Sequence, residues 1–289
     1  MEPSCYNMWM VTYREIINQA RERGVAIGHF NFCNFEMYWG IIRAAGKLNL
    51  PVILGLSEGE RDWVGLREAV AMVRETRASG LPVFLNADHT YSYERVKEAI
   101  DAGFDSIIFD GAKLSIEENT KITKACVEYA RASGRDVIIE AELGYIGEGS
   151  TVRDSLPEGI EMASPREATK FVEATGIDMF APAVGNVHGM LRATSDPAID
   201  TKLVSKIAEA TGVPLVLHGG SGTPNLGEAI KAGISIIHIS TELRKAWRDA
   251  LLVHLEEFPD EIAPYKVAHG ALEAVELIVT DRLKLFSNP

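Results

Sequence analysis

Histidines and carboxylates recur in this sequence where short apolar runs end, and both kinds of side chain bind metal ions and move protons. Asp88 directly precedes His89, and Glu140 and Glu142 stand two residues apart. Residues two apart on a strand face the same way, so the two glutamates would share one side of a sheet. Five of the seven histidines end such runs or lie near their ends: His29, His89, His188, His218 and His238.

Three of these histidines predict a metal site. His89, His188 and His218 are each interpreted as the last residue of a strand, and strand ends meet on one rim of a barrel. Three neutral imidazoles with an open fourth position make a catalytic zinc site. The spacing carries no local metal signature, so the alternative is that neighbouring groups satisfy the imidazoles without a metal ion.

The paired glutamates also fit a metal site. Two carboxylates at close range repel unless a cation, hydrogen bonds or a retained proton offsets their charge. Glu140 and Glu142 are therefore candidates for a metal ligand or for a residue that orients one, and the alternative is a solvated pair at a barrel mouth. Asp88 is suited to exchanging a proton with an oxygen near the metal.

A glycine-rich segment runs from His218 to Pro224 and precedes a predicted helix over Leu226–Lys231. Glycines let backbone N–H groups approach an anion closely, and Ser221 adds a hydroxyl donor. Ser240 and Thr241 open another helix after the last apolar run. Loops after the seventh and eighth strands commonly hold phosphate in barrels, which predicts a phosphate site here. The alternative is a tight turn that needs glycine only for its geometry.

The elements that must position these residues are short β-branched runs that alternate with amphipathic stretches. The runs are mostly continuous in apolar character, which is typical of parallel strands buried on both faces. We interpret eight of them as strands: Val25–Asn31, Pro51–Ser57, Pro82–His89, Asp105–Asp110, Val137–Glu142, Asp178–His188, Pro214–His218 and Ser235–Thr241.

Helices are predicted between the runs, for example over Tyr93–Ala102 and Ile116–Ala132. Glycines fall where such helices should end: Gly80, Gly103, Gly134, Gly176, Gly212 and Gly233. Eight strand–helix repeats in 289 residues fit an α/β fold with a single (β/α)8 barrel, a TIM barrel, over residues 1–289. An open doubly wound sheet is the alternative, but the usual nucleotide-binding signatures are missing.

Composition favours an acidic soluble enzyme of the cytoplasm. The net charge of −12 argues against nucleic acid and against an anionic membrane as partners, and no apolar run is long enough for a membrane helix. The N-terminus lacks the pattern of a secretory signal. Cys5, Cys33 and Cys126 form no paired motif, which fits a reducing compartment.

Taken together, four motifs resemble the class II, zinc-dependent ketose-bisphosphate aldolases, which include fructose-1,6-bisphosphate and tagatose-1,6-bisphosphate aldolases. The resemblance runs in order from about Phe30 to Leu243, with Asn31 near its start and Ser57 closing the second run. The motifs that carry it are Asp88-His89, Glu140-Ala-Glu-Leu-Gly144, Gly185-Asn-Val-His-Gly189 and Leu217-His-Gly-Gly-Ser-Gly222.

The resemblance implies a barrel, dimeric or larger, that reversibly cleaves a ketose bisphosphate to dihydroxyacetone phosphate and an aldehyde such as glyceraldehyde 3-phosphate. His89, His188 and His218 match the zinc ligands, with Glu142 and Asp110 as metal-associated acids. Asp88 matches the residue that moves a proton on the aldehyde oxygen. Residues that match or adjoin the substrate-binding positions are Asn31, Ser57, Gly189, Gly219, Ser221, Ser240 and Thr241, and a monovalent cation near the phosphate is also implied.

The chemistry agrees with that resemblance. Breaking the carbon–carbon bond leaves an ene-diolate, whose charge a Lewis-acid metal stabilises. The competing aldolase mechanism uses a lysine Schiff base, and none of the eight predicted strands contains a lysine.

Four positions depart from the family pattern. His238 replaces an asparagine that contacts the triose, and histidine could donate a similar bond or act as an acid or base. Ser240 stands where an acidic residue or alanine is common. Glu148 is the best candidate for the loop base, but it falls early in its loop. The Asp-Pro-Arg element for the second phosphate is absent, and Lys266 is the predicted substitute, although a lysine lacks the bidentate fork of arginine.

Other functions stay open on the sequence alone. The same mechanism could act on tagatose 1,6-bisphosphate or on a singly phosphorylated ketose. A metal-dependent hydrolase would want a His-x-His pair at the end of the first strand, where the sequence has His29-Phe-Asn31. A non-catalytic sugar-phosphate or zinc-binding protein would have no need of Asp88 beside the metal.

Overall fold

A computed structural model describes residues 11–289, and its centre is a closed barrel of eight parallel strands. Around the barrel the strands follow their order in the sequence, and the last strand pairs with the first. The predicted TIM barrel is therefore confirmed. The barrel strands are β1 (Ile27–Asn31), β2 (Val52–Leu56), β3 (Val83–Thr90), β4 (Ser106–Phe109), β5 (Ile138–Leu143), β7 (Met179–Pro182), β9 (Leu215–Leu217) and β10 (Ile234–Ile239).

Helices surround the barrel, and most strands are followed by at least one. Two predicted helices, Tyr93–Ala102 and Ile116–Ala132, have the predicted bounds. The helices are α1 (Tyr13–Arg23), α2 (Phe35–Leu48), α3 (Glu58–Val64), α4 (Leu66–Ala78), α5 (Tyr93–Ala102), α6 (Ile116–Ala132), α7 (Pro165–Thr175), α8 (Thr201–Thr211), α9 (Leu226–Ala232), α10 (Thr241–Glu257), α11 (Pro264–Val267) and α12 (His269–Ser287). The six glycines predicted to end helices each lie at or directly after a helix cap, with positive φ.

The predicted length of the sixth strand is wrong, because the observed strand is shorter than Asp178–His188. β7 ends at Pro182, so His188 lies in the following loop rather than at a strand end. The Val184 N–H bonds to the side chain of Asn186 instead of a neighbouring strand, and Gly185 has a φ of 100° outside the β region. The strand therefore cannot continue, although Ala183, Val184 and Val187 are apolar.

Two short strands lie outside the barrel. β6 (Val152–Arg153) pairs in parallel with β8 (Met190–Leu191). Since β6 is in the loop after β5 and β8 in the loop after β7, this pairing joins two loops at the same end of the barrel. The sequence pattern did not predict it.

The barrel interior changes from apolar to polar along the strands. At the amino-terminal end, α1 closes the barrel, and Tyr13 and Ile17 belong to a buried cluster with Phe84, Met179 and Ile236. A larger cluster fills the space between the strands and the surrounding helices. Because strand side chains alternate, the inward positions further along the same strands carry the polar residues that the sequence singled out.

No helix among residues 11–289 is long and apolar enough to cross a membrane. Cys33 and Cys126 are free thiols, and Cys5 lies outside the described residues.

Candidate active site

Alternation along the strands brings the candidate residues to the carboxyl end of the barrel. On β3 the inward positions carry Phe84, Asn86 and Asp88, and on β5 they carry Ile138, Glu140 and Glu142. The predicted common orientation of the two glutamates is confirmed, since both contact His218.

Three of the predicted metal ligands and one predicted metal-associated acid converge. His89, Glu142, His188 and His218 each offer one ligand atom, and these atoms lie within 4.8 Å of one another. His89 Nε2 is 3.3 Å from His218 Nδ1, and Glu142 Oε1 is 3.4 Å from the same Nδ1. Three imidazoles and a carboxylate are ligands that suit zinc, so the donor set fits the implied metal ion.

His188 reaches this cluster although its strand ends early. Its N–H donates to the carbonyl of Ile146, which fixes the loop after β7 against the loop after β5. Gly219, with a φ of 63°, lies against the loop after β7. A Cβ at this position would be 2.1 Å from the carbonyl oxygen of Val187. Glycine therefore allows the two loops that carry His188 and His218 to touch.

Carboxylates orient two of these imidazoles from behind. Glu140 Oε1 accepts a hydrogen bond from His218 Nε2 at 2.9 Å, and Asp110 Oδ2 lies 2.8 Å from His89 Nδ1. Burial alone would lower the pKa of His218, but Glu142 and Glu140 raise it above its ordinary value. Burial raises the pKa of Glu140 despite its hydrogen bond to His218. Such outer carboxylates commonly hold histidine ligands in one orientation.

Asp88 lies beside the metal-ligand cluster and is 4% exposed. Its Oδ2 accepts a hydrogen bond from Asn31 Nδ2 at 2.9 Å, and its Oδ1 is 3.4 Å from His238 Nδ1. Burial alone would raise the pKa of Asp88, but His89 and His238 hold it well below its ordinary value. Asp88 is thus held in its ionised form, which is the form that can act as a base.

His238 lies in a stack of three imidazoles. Its ring is 3.4 Å from that of His29 at an interplanar angle of 3°, and 4.1 Å from that of His218. Burial, together with the neighbouring His29 and His218, holds the pKa of His238 well below its ordinary value. Gly55 makes room for His29, because a Cβ there would lie 2.1 Å from the ring.

The glycine-rich segment after β9 meets the start of α10. Ser221 Oγ accepts hydrogen bonds from the N–H groups of Ser240 and Glu242, each at 3.3 Å. Gly222 N–H donates to the Glu242 carboxylate, which Arg282 also contacts. Ser221, Ser240 and Thr241 are thus brought together. Gly189 is in the His188 loop, in close contact with the carbonyl of Thr151.

Two cavities open beside this cluster at the carboxyl end of the barrel. One of about 200 Å³ is lined by Asn31, Ser57, Asp88, His89 and Glu148 among others, and one of about 260 Å³ by Glu142, His188 and again Glu148. The Glu148 side chain is half exposed and pairs with Lys113. A wider groove of about 870 Å³ lies between α4 and α5 on the outside, and none of the predicted site residues lines it.

The residue predicted to contact the second phosphate does not line either cavity. Lys266, on α11, is half exposed and pairs with Glu261 at 3.0 Å. Within the described residues, the arginine that lines the 200 Å³ cavity is Arg244, on the first turn of α10. Its position directly after the eighth barrel strand is where barrel ligands gather, and this signal could have revealed it in the sequence.

Two further residues support the site from α3. Glu60 accepts hydrogen bonds from Asn31 and Ser57 and pairs with Arg244. The buried Arg61 donates to the carbonyls of Leu56 and Asp88. Sequence reasoning missed both, and the Ser57-x-x-Glu60 spacing indicated only a helix cap.

The comparisons with known proteins agree along nearly the whole chain. A family model described as "Fructose-bisphosphate aldolase class-II" matches residues 11–288. The fructose-bisphosphate aldolase of Geobacillus stearothermophilus is 38% identical over 287 residues, which cover 97% of this chain and 98% of that protein. A probable fructose-bisphosphate aldolase of Bacillus subtilis (strain 168) is also 38% identical over 287 residues, covering 97% and 99%.

A solved structure is also similar over nearly the whole chain. The crystal structure of the YdjI aldolase from Escherichia coli K12 matches with a TM-score of 0.80 and 32% sequence identity. The match covers 96% of this chain and 97% of that one.

Proposed function

The chain belongs to the class II fructose-bisphosphate aldolase family, and on that premise we propose that it reversibly cleaves a ketose bisphosphate at this end of the barrel. Fructose 1,6-bisphosphate is the simplest candidate substrate, with dihydroxyacetone phosphate and glyceraldehyde 3-phosphate as products. The observation that carries this proposal is the convergence of His89, His188, His218 and Glu142 directly beside the buried carboxylate of Asp88.

Zinc is the proposed metal ion, held by His89, His188 and His218 with Glu142 beside it. Two observations support an ion there. The buried Glu142 Oε1 has no hydrogen-bond partner among residues 11–289, and ring nitrogens of His89 and His218 face one another at 3.3 Å. When bound, the ion would supply Lewis-acid stabilisation of the negative charge that develops on the carbonyl oxygen of the substrate.

The other residues have proposed roles in moving protons. In the cleavage direction Asp88 takes the proton from the hydroxyl of the carbon that becomes the aldehyde, the adjacent carbon–carbon bond breaks, and its electron pair moves toward the carbonyl. Glu148, on the loop over the cavity and in its protonated form, then delivers its proton to the triose carbon as the carbonyl re-forms, and Glu148 is left as a carboxylate. His238, stacked between His29 and His218, contacts the triose half.

The phosphate of the triose half would bind the loops after β7, β9 and β10. Gly189, Gly219, Ser221, Ser240 and Thr241 lie there, and glycines and short side chains let an anion approach the backbone closely. Anchoring the phosphate away from the reacting carbons fixes their position.

The remaining proposals concern the whole protein. We propose one catalytic domain over residues 1–289 that acts in the cytoplasm as a homodimer or homotetramer. Exposed apolar side chains on and after α10 support an interface between copies, among them Phe258, Ile262 and Tyr265. Free thiols at Cys33 and Cys126 fit a reducing compartment.

The condensation direction tests this function together with the role of Asp88. Zinc-loaded protein mixed with dihydroxyacetone phosphate and glyceraldehyde 3-phosphate should form a ketose bisphosphate. Asp88→Asn should abolish product formation while the zinc content of the protein stays the same. A folded, zinc-loaded protein that forms no ketose phosphate would instead favour the non-catalytic sugar-phosphate-binding alternative.

A further inference from the structure

A buried carboxylate lies directly behind the wall of the 200 Å³ cavity. Glu60, on α3, is 6% exposed, and both of its oxygens are bonded. Oε2 accepts hydrogen bonds from Asn31 Nδ2 at 2.9 Å, from the Ser57 N–H at 2.8 Å and from Ser57 Oγ at 2.9 Å. Oε1 is 2.5 Å from Arg244 Nη2.

A helix cap explains only part of this arrangement. The Ser57-x-x-Glu60 capping box accounts for the bond from the Ser57 N–H. Asn31 comes from β1 and Arg244 from α10, and neither is needed to cap α3. An amide, a hydroxyl, a backbone N–H and a guanidinium are also the donors that bind phosphate oxygens. Here they are turned toward a carboxylate of the chain itself.

The three donor residues all line the cavity, so Glu60 occupies polar hydrogens that a substrate would otherwise meet. The rest of the wall adds negative charge through Glu58, Asp110 and Glu148. Among the residues described as lining the two cavities, the lysine or arginine side chains are Arg244 and Lys113. Arg244 pairs with Glu60, and Lys113 pairs with Glu148.

A second phosphate group at this end of a substrate would therefore meet carboxylates without a free cation. Like charges in a partly buried cavity repel strongly, because the local dielectric constant is lower than that of water. Hydroxyl groups would be accommodated better, since each can donate a hydrogen bond to Glu58, Asp110 or Glu148.

We propose that Glu60 is a specificity-determining residue that disfavours a phosphate on the aldehyde half of the substrate. The preferred substrate class is then a ketose phosphorylated only at the dihydroxyacetone end, with an uncharged polyhydroxyl tail. This inference rests on the proposed aldolase function, and it ranks a bisphosphate as a poorer substrate of the same site.

Fructose 1-phosphate and fructose 1,6-bisphosphate test it, because they differ only in the second phosphate and both release dihydroxyacetone phosphate. Zinc-loaded protein should cleave fructose 1-phosphate with a kcat/KM at least about tenfold higher than that for fructose 1,6-bisphosphate. Calorimetric titration of each sugar, which needs no turnover, should give the tighter Kd for fructose 1-phosphate.

Glu60→Gln removes the charge and keeps the side-chain shape. The variant should improve the bisphosphate relative to fructose 1-phosphate by about tenfold, both in kcat/KM and in binding affinity. The reason is that Arg244 becomes free to contact the second phosphate. Adding Arg244→Met to Glu60→Gln should cancel that gain. Glu68→Gln, an exposed change on α4, is the matched control and should leave both ratios unaltered.

The outcomes separate this inference from the function on which it rests. If the native protein binds or cleaves the bisphosphate better than fructose 1-phosphate, the role of Glu60 is wrong while the aldolase proposal stands. If neither sugar is cleaved, the aldolase proposal fails, and the Kd values still decide the inference. An unchanged ratio in folded Glu60→Gln would also show that the role of Glu60 is wrong. If that variant does not fold, the native comparison still decides which of the two sugars is preferred.

Discussion

His218 depends on Glu140 for its orientation. The carboxylate accepts the hydrogen bond from Nε2 and leaves Nδ1 facing His89 and Glu142. Glu140 is 1% exposed, so no water can replace it easily. Outer carboxylates of this kind raise the basicity of a histidine ligand and fix the ring in place.

We predict that Glu140→Gln weakens zinc binding by about 10- to 100-fold, the usual effect of losing such a partner. Competition between the protein and a chromogenic chelator measures the zinc Kd. Glu167→Gln, at an exposed position on α7, is the control and should leave the Kd unchanged. An unaltered Kd in folded Glu140→Gln would mean that the carboxylate does not support the ligand.

His238 presents an imidazole where the family resemblance implies asparagine. We predict that His238→Asn keeps turnover within about tenfold and changes the ratio of kcat/KM between fructose and tagatose 1,6-bisphosphates, because asparagine cannot stack on His29 and His218. The surface change His269→Asn is the control. Full activity with an unchanged ratio would make the position neutral.

The structure brings some of the predicted site residues together and leaves another apart. Asp88, His89, Glu142 and His218 come together because strand alternation and strand ends are visible in the sequence. Lys266 was expected near the second phosphate, but the structure leaves it paired with Glu261. That expectation depended on where α11 lies relative to the barrel, which no local pattern reports.

At the scale of elements, the site depends on contacts between loops. The loop after β9 touches the loop after β7 at Gly219, and β6 pairs with β8 to join the loops after β5 and β7. His188 is therefore held by loop packing rather than by a strand. His188 therefore reaches the predicted cluster of candidate ligands, although the strand predicted to carry it is wrong.

Gly219→Ala should disturb this contact. Both Gly219 and Gly212 have positive φ, so alanine costs about 1–2 kcal/mol of backbone strain at either position. Only at Gly219 would the new Cβ also strike the carbonyl of Val187, since in the described part of the chain no atom lies within 4 Å of a Cβ built at Gly212. The thermal unfolding temperature should fall for both variants, whereas zinc affinity should fall only for Gly219→Ala. Equal zinc affinity in the two variants would contradict the packing argument.

The loop after β5 carries Glu148 between Gly147 and Gly149, and a bridge between Tyr145 and Glu161 closes its base. We predict that Glu148→Gln slows proton exchange at the triose carbon of dihydroxyacetone phosphate by about 100-fold or more. Deuterium exchange into dihydroxyacetone phosphate alone, followed by NMR, isolates this step. Glu158→Gln on the same loop is the control, and equal exchange rates in the two variants would remove Glu148 from the proposed role.

At the scale of the molecule, eight apolar runs and the glycines after the helices were enough to predict the barrel. These signals are local and repeat along the chain, so one misjudged boundary at β7 did not change the fold. The charge environment of the cavity is different, because Glu60 and Arg244 are 184 residues apart and meet only in the closed barrel. Such a contact leaves no periodic trace in one sequence.

The most direct test of a metal-dependent aldolase at this barrel end is release of dihydroxyacetone phosphate by the purified protein. Fructose 1-phosphate and fructose 1,6-bisphosphate are supplied before chelation, after chelation and after zinc is returned. We expect cleavage that the chelator abolishes and zinc restores. Undiminished cleavage by protein shown to be free of metal would contradict the account, and so would no cleavage of either sugar by folded, zinc-loaded protein.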